Sequence, residues 1–196
     1  MKKLIFSALF VFAAILSQAQ EEGKFRVGLN LGGAFPSGGF GVMGDLEAKY
    51  NLSDNMNVGI RFGSAALVKD IEQDGAGDPI EADVSAQGSY LGTFDYYFPL
   101  SGSFTPFVGA GAGIVSIAAV SIKDGDDEDD FGGLDASSKF GGMLRGGFEA
   151  GKFRLTMEYN LVPKSTIEAV DGTELGEVGN GFFGVTIGFF VGGGRW

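Results

Sequence analysis

The chain has 196 residues, of which 35 are glycine and 19 are phenylalanine. So much glycine argues against a mainly helical protein, because a glycine in a helix costs roughly 1 kcal/mol relative to alanine. The aromatic content argues against a disordered chain. The sequence has no cysteine and no histidine, which excludes disulfide bonds, thiol nucleophiles and Ser-His-Asp catalysis. The net charge of −11, without a basic patch, argues against nucleic-acid binding.

The first 19 residues have the three parts of a secretory signal peptide. Lys2 and Lys3 form the basic part, residues 4–16 the apolar part, and Ser17 and Ala19 are small residues at the positions that signal peptidase reads. We expect cleavage after Ala19, which leaves residues 20–196 as one domain with a net charge of about −13. No other stretch has the ~18 consecutive apolar residues of a membrane helix, so a membrane form of this domain would be a closed barrel.

Eight segments of the mature chain alternate between apolar and polar residues, as β-strands with one apolar face do. They cover residues 24–32, 40–50, 56–68, 82–98, 104–121, 137–150, 153–161 and 179–191. In the first, Phe25, Val27 and Leu29 share one face, and Arg26 and Asn30 share the other. The fifth segment alternates small with apolar residues, so its register stays open. Most segments have the roughly 9–11 residues with which a tilted strand crosses a bilayer.

The connections between these segments differ in length at the two ends of the predicted sheet. Those at 51–55, 99–103 and 151–152 are short, and Gly151 begins a two-residue turn of the type II′ kind. The loops near residues 36, 75, 129 and 170 are mostly long and polar. Membrane barrels have this asymmetry, with an aromatic girdle at each interface. Aromatic residues gather at the short-turn end: Phe25, Tyr50, Tyr96, Phe98, Phe104, Phe148, Phe153 and Phe189.

The volume of the side chains predicts which face points inward. Eight strands enclose a lumen that side chains only just fill. Phenylalanine and leucine from every strand would not fit there, whereas glycine, serine, threonine and paired charges would. We therefore predict an all-β, eight-stranded, antiparallel, up-and-down transmembrane β-barrel with its polar face inside. A soluble, lipocalin-like ligand-binding barrel, with the apolar face inside, is the alternative.

The charged residues of the polar face are spaced to form ion pairs. With a two-residue turn at 151–152, Glu149 lies opposite Arg154 and Arg145 lies opposite Glu158. Such cross-strand pairs contribute about 0.2–1 kcal/mol on an exposed sheet, and breaking a buried pair costs more.

The turn at 51–55 extends this pattern. Either Asp45 or, after a two-residue shift, Glu47 lies opposite Arg61. Both registers oppose unlike charges, so we predict an ion-pair network that plugs the lumen. Its members are Arg26, Asp45, Glu47, Arg61, Arg145, Glu149, Arg154 and Glu158.

Two neighbouring stretches resemble a known group of proteins. The sequence Gly-Thr-Phe-Asp-Tyr-Tyr-Phe at 92–98 is followed, after a short turn, by Thr-Pro-Phe-Val-Gly-Ala-Gly-Ala-Gly at 105–113. This pattern is similar to the small outer-membrane β-barrels, including the OmpA transmembrane domain, OmpX and OmpW-like proteins. The resemblance implies the outer membrane of a Gram-negative bacterium, with long loops outside and short turns in the periplasm. It also implies outer-membrane lipids and the barrel-assembly machinery as partners.

Function is less constrained than fold. The acidic run Asp124, Asp126, Asp127, Glu128, Asp129 and Asp130 offers oxygen ligands to Ca²⁺ but lacks EF-hand spacing, so we interpret it as a solvated surface loop. No cofactor is implied. Without histidine, and with no carboxylate pair apart from basic partners, we expect no enzyme. The predicted role is structural or surface interaction through the long loops. A narrow channel for small solutes is the alternative.

Overall fold

The computed structural model describes residues 22–70, 82–98, 104–120, 136–168 and 174–193, which contain ten β-strands. They are β1 (Phe25–Pro36), β2 (Gly39–Ser53), β3 (Met56–Asp70), β4 (Ala82–Tyr97), β5 (Phe104–Val120), β6 (Ala136–Ala150), β7 (Phe153–Leu161), β8 (Ser165–Glu168), β9 (Glu174–Val178) and β10 (Phe182–Gly192). All but β8 and β9 close into an antiparallel barrel, in the order β1-β10-β7-β6-β5-β4-β3-β2. The predicted eight-stranded barrel is confirmed. Within the described residues, no helix is long and apolar enough to cross a membrane.

Two connections differ from the sequence prediction. The expected loop near residue 36 is only a two-residue turn, because the in-and-out alternation of β1 continues through Phe35 and Pro36. Gly38, at φ 72°, takes the left-handed conformation that this tight turn needs. In the connection after β7, β8 and β9 pair as a separate hairpin. The predicted signal peptide, the turn at 99–103 and the loops at 71–81 and 121–135 lie outside the described residues.

The two turns at the other end fix the strand registers. At the 151–152 turn, where Gly151 has φ 61°, Glu149 lies opposite Arg154. At the 54–55 turn, Tyr50 lies opposite Val58, so Glu47 lies opposite Arg61, which is the second of the two registers considered. We call the end of the barrel with these turns the short-turn end. The opposite end, where the connections 71–81, 121–135 and 162–181 join the strands, is the long-connection end.

The strands are strongly tilted. Residues opposed to Leu31 can be followed round the barrel in either direction until they reach β6. Through β2, β3, β4 and β5 the path ends at Ser138, and through β10 and β7 it ends at Phe148. These two positions are ten residues apart, which is the shear of the barrel. A shear of this size with eight strands belongs to barrels whose strands tilt by about 35–45°.

The apolar face points outward on every strand of the barrel. Leu29, Leu144 and Ile187 are 53%, 57% and 65% exposed, whereas their polar neighbours are buried. This arrangement contradicts the alternative of a soluble barrel with an apolar interior. It also settles β5, whose register the sequence left open. Phe107 and Val115 are buried, so the glycines at 109, 111 and 113 face inward.

The aromatic residues expected at the short-turn end form a girdle there. All eight take part in ring contacts between neighbours, with centroids 4.5–5.6 Å apart: Phe25 with Tyr50, Tyr96 with Phe98, Phe104 with Phe148, and Phe153 with Phe189. A second group lies toward the long-connection end, where Phe35 contacts Phe40 and Phe183. Two girdles flanking an apolar band match the two interfaces of a bilayer.

Candidate functional site: the barrel lumen

The half of the lumen next to the short-turn end is filled by charged side chains. Five cations and five carboxylates of the described residues point into it, and none is more than 6% exposed. We call this set the ion-pair layer. Its members are Arg26, Lys49, Arg61, Arg145, Arg154, Asp45, Glu47, Asp95, Glu149 and Glu158. Equal numbers of opposite charges make the layer neutral, which a narrow, dry interior requires.

Asp95 on β4 is the centre of the larger network in this layer. Its carboxylate accepts hydrogen bonds from Lys49, from Arg145 at 2.8 Å and from Arg154 at 3.0 Å. Arg145 also reaches across the lumen to Glu47, at 2.6 Å. Two parallel bonds to each carboxylate give this arginine the bidentate geometry in which guanidinium groups bind most strongly.

Asp95 fits because β5 has no side chain opposite it. Gly109 is the residue paired with Asp95, and a methyl group there would collide with the carboxylate oxygen Oδ1. The same methyl carbon would lie only 2.7 Å from the carbonyl oxygen of Phe94, which belongs to the backbone and cannot move away. Gly109 therefore provides the room in which the ion pairs of Asp95 form.

The network continues to the short-turn end through an aromatic cluster. Arg26 donates to Glu149 at 2.7 Å, and the hydroxyl of Tyr97 donates to the other oxygen of the same carboxylate at 2.9 Å. The guanidinium groups of Arg26 and Arg154 lie 4.9 and 5.3 Å from the ring centroid of Phe190. Cations placed near an aromatic ring are attracted to its π-electrons, most strongly where water is excluded.

A smaller network lies toward the middle of the lumen. Arg61 donates to Asp45 and to Glu158, both at 2.9 Å. Asn30 donates to Asp45 at 2.7 Å, and Asn160 donates to Glu158 at 2.9 Å. One cation is thus shared by two carboxylates, and two amides provide the remaining hydrogen bonds.

All eight of the charged residues singled out in the sequence lie in the ion-pair layer, but the partners differ from simple cross-strand pairs. Glu149 and Arg154 are in contact at 3.4 Å. Arg145 is opposed to Glu158 in the register, yet it pairs with carboxylates of β2 and β4. Arg61 likewise binds carboxylates other than the one directly opposite. The pairs of Arg61 with Glu158 and of Arg145 with Glu47 cross the lumen, because its curved wall brings distant strands within reach.

Two residues of the layer, and one tyrosine bonded to it, were missing from the predicted set. Lys49 and Asp95 carry buried charges, and Tyr97 is fully buried with its hydroxyl bonded to a carboxylate. Lys49 alternates in phase with Glu47, and Asp95 with Thr93, so a full count of polar-face charges would have found both. Tyr97 is in phase with Asp95 but lies within an aromatic run, so the sequence did not indicate that its hydroxyl binds a carboxylate. The acidic residues 124–130 lie outside the described residues, and within the described part no cluster is arranged to hold a metal ion.

The sequence of this barrel matches a known protein family. Residues 4–189 match the family described as "Outer membrane protein beta-barrel domain". The chain belongs to this family. No curated protein sequence matches it.

Three solved structures are similar to this outer-membrane barrel. They are OprG of Pseudomonas aeruginosa (13% identity, TM-score 0.50, 90% of this chain and 99% of that one), the N-terminal β-barrel domain of OprF of Pseudomonas aeruginosa (15%, 0.43, 87% and 99%) and Neisserial surface protein A (14%, 0.46, 86% and 95%). At 13% identity the likeness to OprG concerns the fold alone.

In the other half of this outer-membrane barrel, buried apolar side chains replace the charges. On each of three strands an apolar inward residue lies on the long-connection side of a charged one: Met43 before Asp45, Ala65 after Arg61, and Met143 before Arg145. These belong to two buried clusters on opposite walls. One comprises Ala34, Met43, Ala65, Leu67 and Phe182, and the other Leu91, Val115, Ile117 and Met143 with Val162 packed against them.

Proposed function

We propose that this outer-membrane barrel is a non-conducting scaffold that presents its long connections at the cell surface for a structural or surface-interaction role. The ion-pair layer carries this proposal. Ten mutually compensated charges occupy the lumen at the short-turn end, and apolar clusters occupy the other half. A hydrated ion would have to break several buried ion pairs to pass, and breaking one such pair costs about 3–5 kcal/mol.

The distribution of charge supports a surface role for the long connections. Residues 71–81, 121–135 and 162–181 contain 15 acidic residues and 2 lysines, whereas the rest of 20–196 contains 10 acidic and 10 basic residues. The whole net charge of the mature chain is therefore concentrated at one end of a neutral barrel. At physiological ionic strength such a field extends about 8 Å from the surface, so basic partners are the class that this end attracts.

Planar-bilayer recording tests the scaffold. We expect purified protein to produce no discrete conductance steps. Phe190→Ala removes the ring next to Arg26 and Arg154, and we expect this variant to produce conductance steps where the unmodified protein does not. Reproducible steps from the unmodified protein would establish the narrow channel instead.

Labelling of intact cells tests the orientation. Because the chain has no cysteine, a single cysteine can be introduced at Asp129 or at Lys152 without background reaction. We expect Asp129→Cys to react with a membrane-impermeant maleimide on intact cells, and Lys152→Cys to react only after the outer membrane is permeabilised. The opposite pattern would reverse the orientation and remove the surface role.

A further inference from the structure

A small cavity lies in the lumen between the two apolar clusters, on the long-connection side of the ion-pair layer. Its volume is about 20 Å³. Met43 and Phe182 line it from one cluster, Val115 lines it from the other, and Arg61 and Gln87 contribute polar side chains. Ser64, Ser89 and Asn160 also line it, so its wall is partly apolar and partly polar.

Arg61 and Gln87, which both line this cavity, each have a buried polar atom without a hydrogen-bond partner among the described residues. Arg61 is 2% exposed, and its terminal nitrogens are bonded to Asp45, Glu158 and Met143. Its Nε–H has no hydrogen-bond partner among the described residues.

Gln87 provides the complementary group. It is 6% exposed and donates its amide nitrogen to the carbonyl oxygen of Asn180 at 3.1 Å. A carbonyl can only accept, so this bond fixes the orientation of the amide and identifies Oε1 as the other end. That oxygen has no partner within the part of the chain that the structure describes.

We propose that this cavity is a binding site for one or two ordered water molecules that connect Arg61 Nε–H with Gln87 Oε1. A buried donor and a buried acceptor on two side chains that line the same cavity are each costly without a partner, and a water molecule supplies an acceptor to one and a donor to the other. The cavity volume fits this number of water molecules, because about 10–15 Å³ of cavity volume is enough to hold one water molecule.

The charges around the cavity argue for a neutral occupant. Arg61 is already shared by two carboxylates, so an anion would find no uncompensated positive charge. A cation would face the N–H of the same arginine. This water site goes beyond the proposed scaffold role, because it marks how far into the lumen water reaches from the long-connection end. Below it, every cation of the ion-pair layer is paired with a carboxylate.

Oxygen-17 magnetic relaxation dispersion counts the water molecules whose residence time on the protein is longer than the rotational correlation time of the protein in its micelle. We expect Gln87→Leu, which removes the acceptor, to hold one or two fewer than the unmodified protein. Asn180→Ala is the matched control: it removes the bond from Asn180 Nδ2 to the carbonyl oxygen of Pro163, at 2.7 Å, but leaves both cavity atoms. Equal counts for Gln87→Leu and the unmodified protein, or an equal loss in both variants, would overturn the site.

A crystal structure of the unmodified protein gives an independent result that does not depend on how a variant folds. We expect a water oxygen within about 3.2 Å of Arg61 Nε. A cavity without electron density, or density for a larger molecule, would overturn the assignment. Neither result depends on conductance, so failure of the water site and failure of the scaffold proposal are separate outcomes.

Discussion

The strongest test of the ion-pair layer is to neutralise its central carboxylate. Asp95→Asn keeps the size of the side chain but leaves five buried cations facing four carboxylates. Lys49, Arg145 and Arg154 all lose an ionic partner. An uncompensated charge in a buried position cannot be hydrated without opening the barrel, so the folded state should be weakened much more than by loss of a surface ion pair.

The magnitude follows from the contacts that remain. Removing one partner of a buried pair costs about 3–5 kcal/mol. Lys49 and Arg145 keep contacts with Glu47, at 3.3 and 2.6 Å, so we expect the lower part of this range, about 3 kcal/mol. Urea unfolding of the protein refolded into lipid vesicles measures the loss. Asp54→Asn, at an exposed turn position, is the matched control and should change stability by no more than about 0.5 kcal/mol.

A double variant separates charge imbalance from lost packing. Lys49→Gln in the Asp95→Asn background restores equal numbers of cations and carboxylates. Because the two side chains are in contact, the double variant should be more stable than the sum of the single effects predicts, by about 0.5–3 kcal/mol. Strict additivity, or a single Asp95→Asn variant as stable as Asp54→Asn, would refute the view that a balanced set of buried charges holds the lumen together.

Three further substitutions test separate parts of the barrel in the same unfolding assay. Gly109→Ala should displace the carboxylate of Asp95 and lower the free energy of unfolding by about 3 kcal/mol. Gly92→Ala is the control and should be neutral, because its methyl group would come no closer than 3.8 Å to its nearest neighbour. Equal effects of the two substitutions would contradict the packing argument. Ile187→Arg puts a charge on the outward face and should cost about 2–4 kcal/mol in vesicles, and no cost there would contradict a lipid-facing position. Phe190→Ala should cost about 3–5 kcal/mol, because the ring is buried, and a loss below about 1 kcal/mol would show that it does not support the cations.

Strand positions and faces were predictable wherever polar and apolar residues alternate. In β7 the pattern from Phe153 to Leu161 gave both the bounds and the inward set. In β5 it failed, because Gly109 and Ala110 differ too little in polarity to assign a face. The structure assigns that strand through its pairing with β4 and β6, which is information carried by other parts of the chain.

The members of the ion-pair layer were easier to predict than their partners. A charge on an inward face must be compensated, so its presence in the layer follows from alternation and closure alone. Cross-strand reasoning treats the sheet as flat, however, and a flat sheet lets a side chain meet only its direct neighbours. Arg145 reaches Glu47 on a strand four places away round the barrel, which only the curvature allows.

We expect the seam between β1 and β10 to form late in folding. It opposes Arg26 to Gly192, which are 166 positions apart in the chain, whereas the pairs next to the 54–55 and 151–152 turns are a few residues apart. Contacts between distant residues form slowly, because the intervening chain must be ordered first. Until this seam forms, the growing sheet has two unpaired edges and its charged lumen is open to water. Compensation of the ten charges is therefore completed only when β10 meets β1.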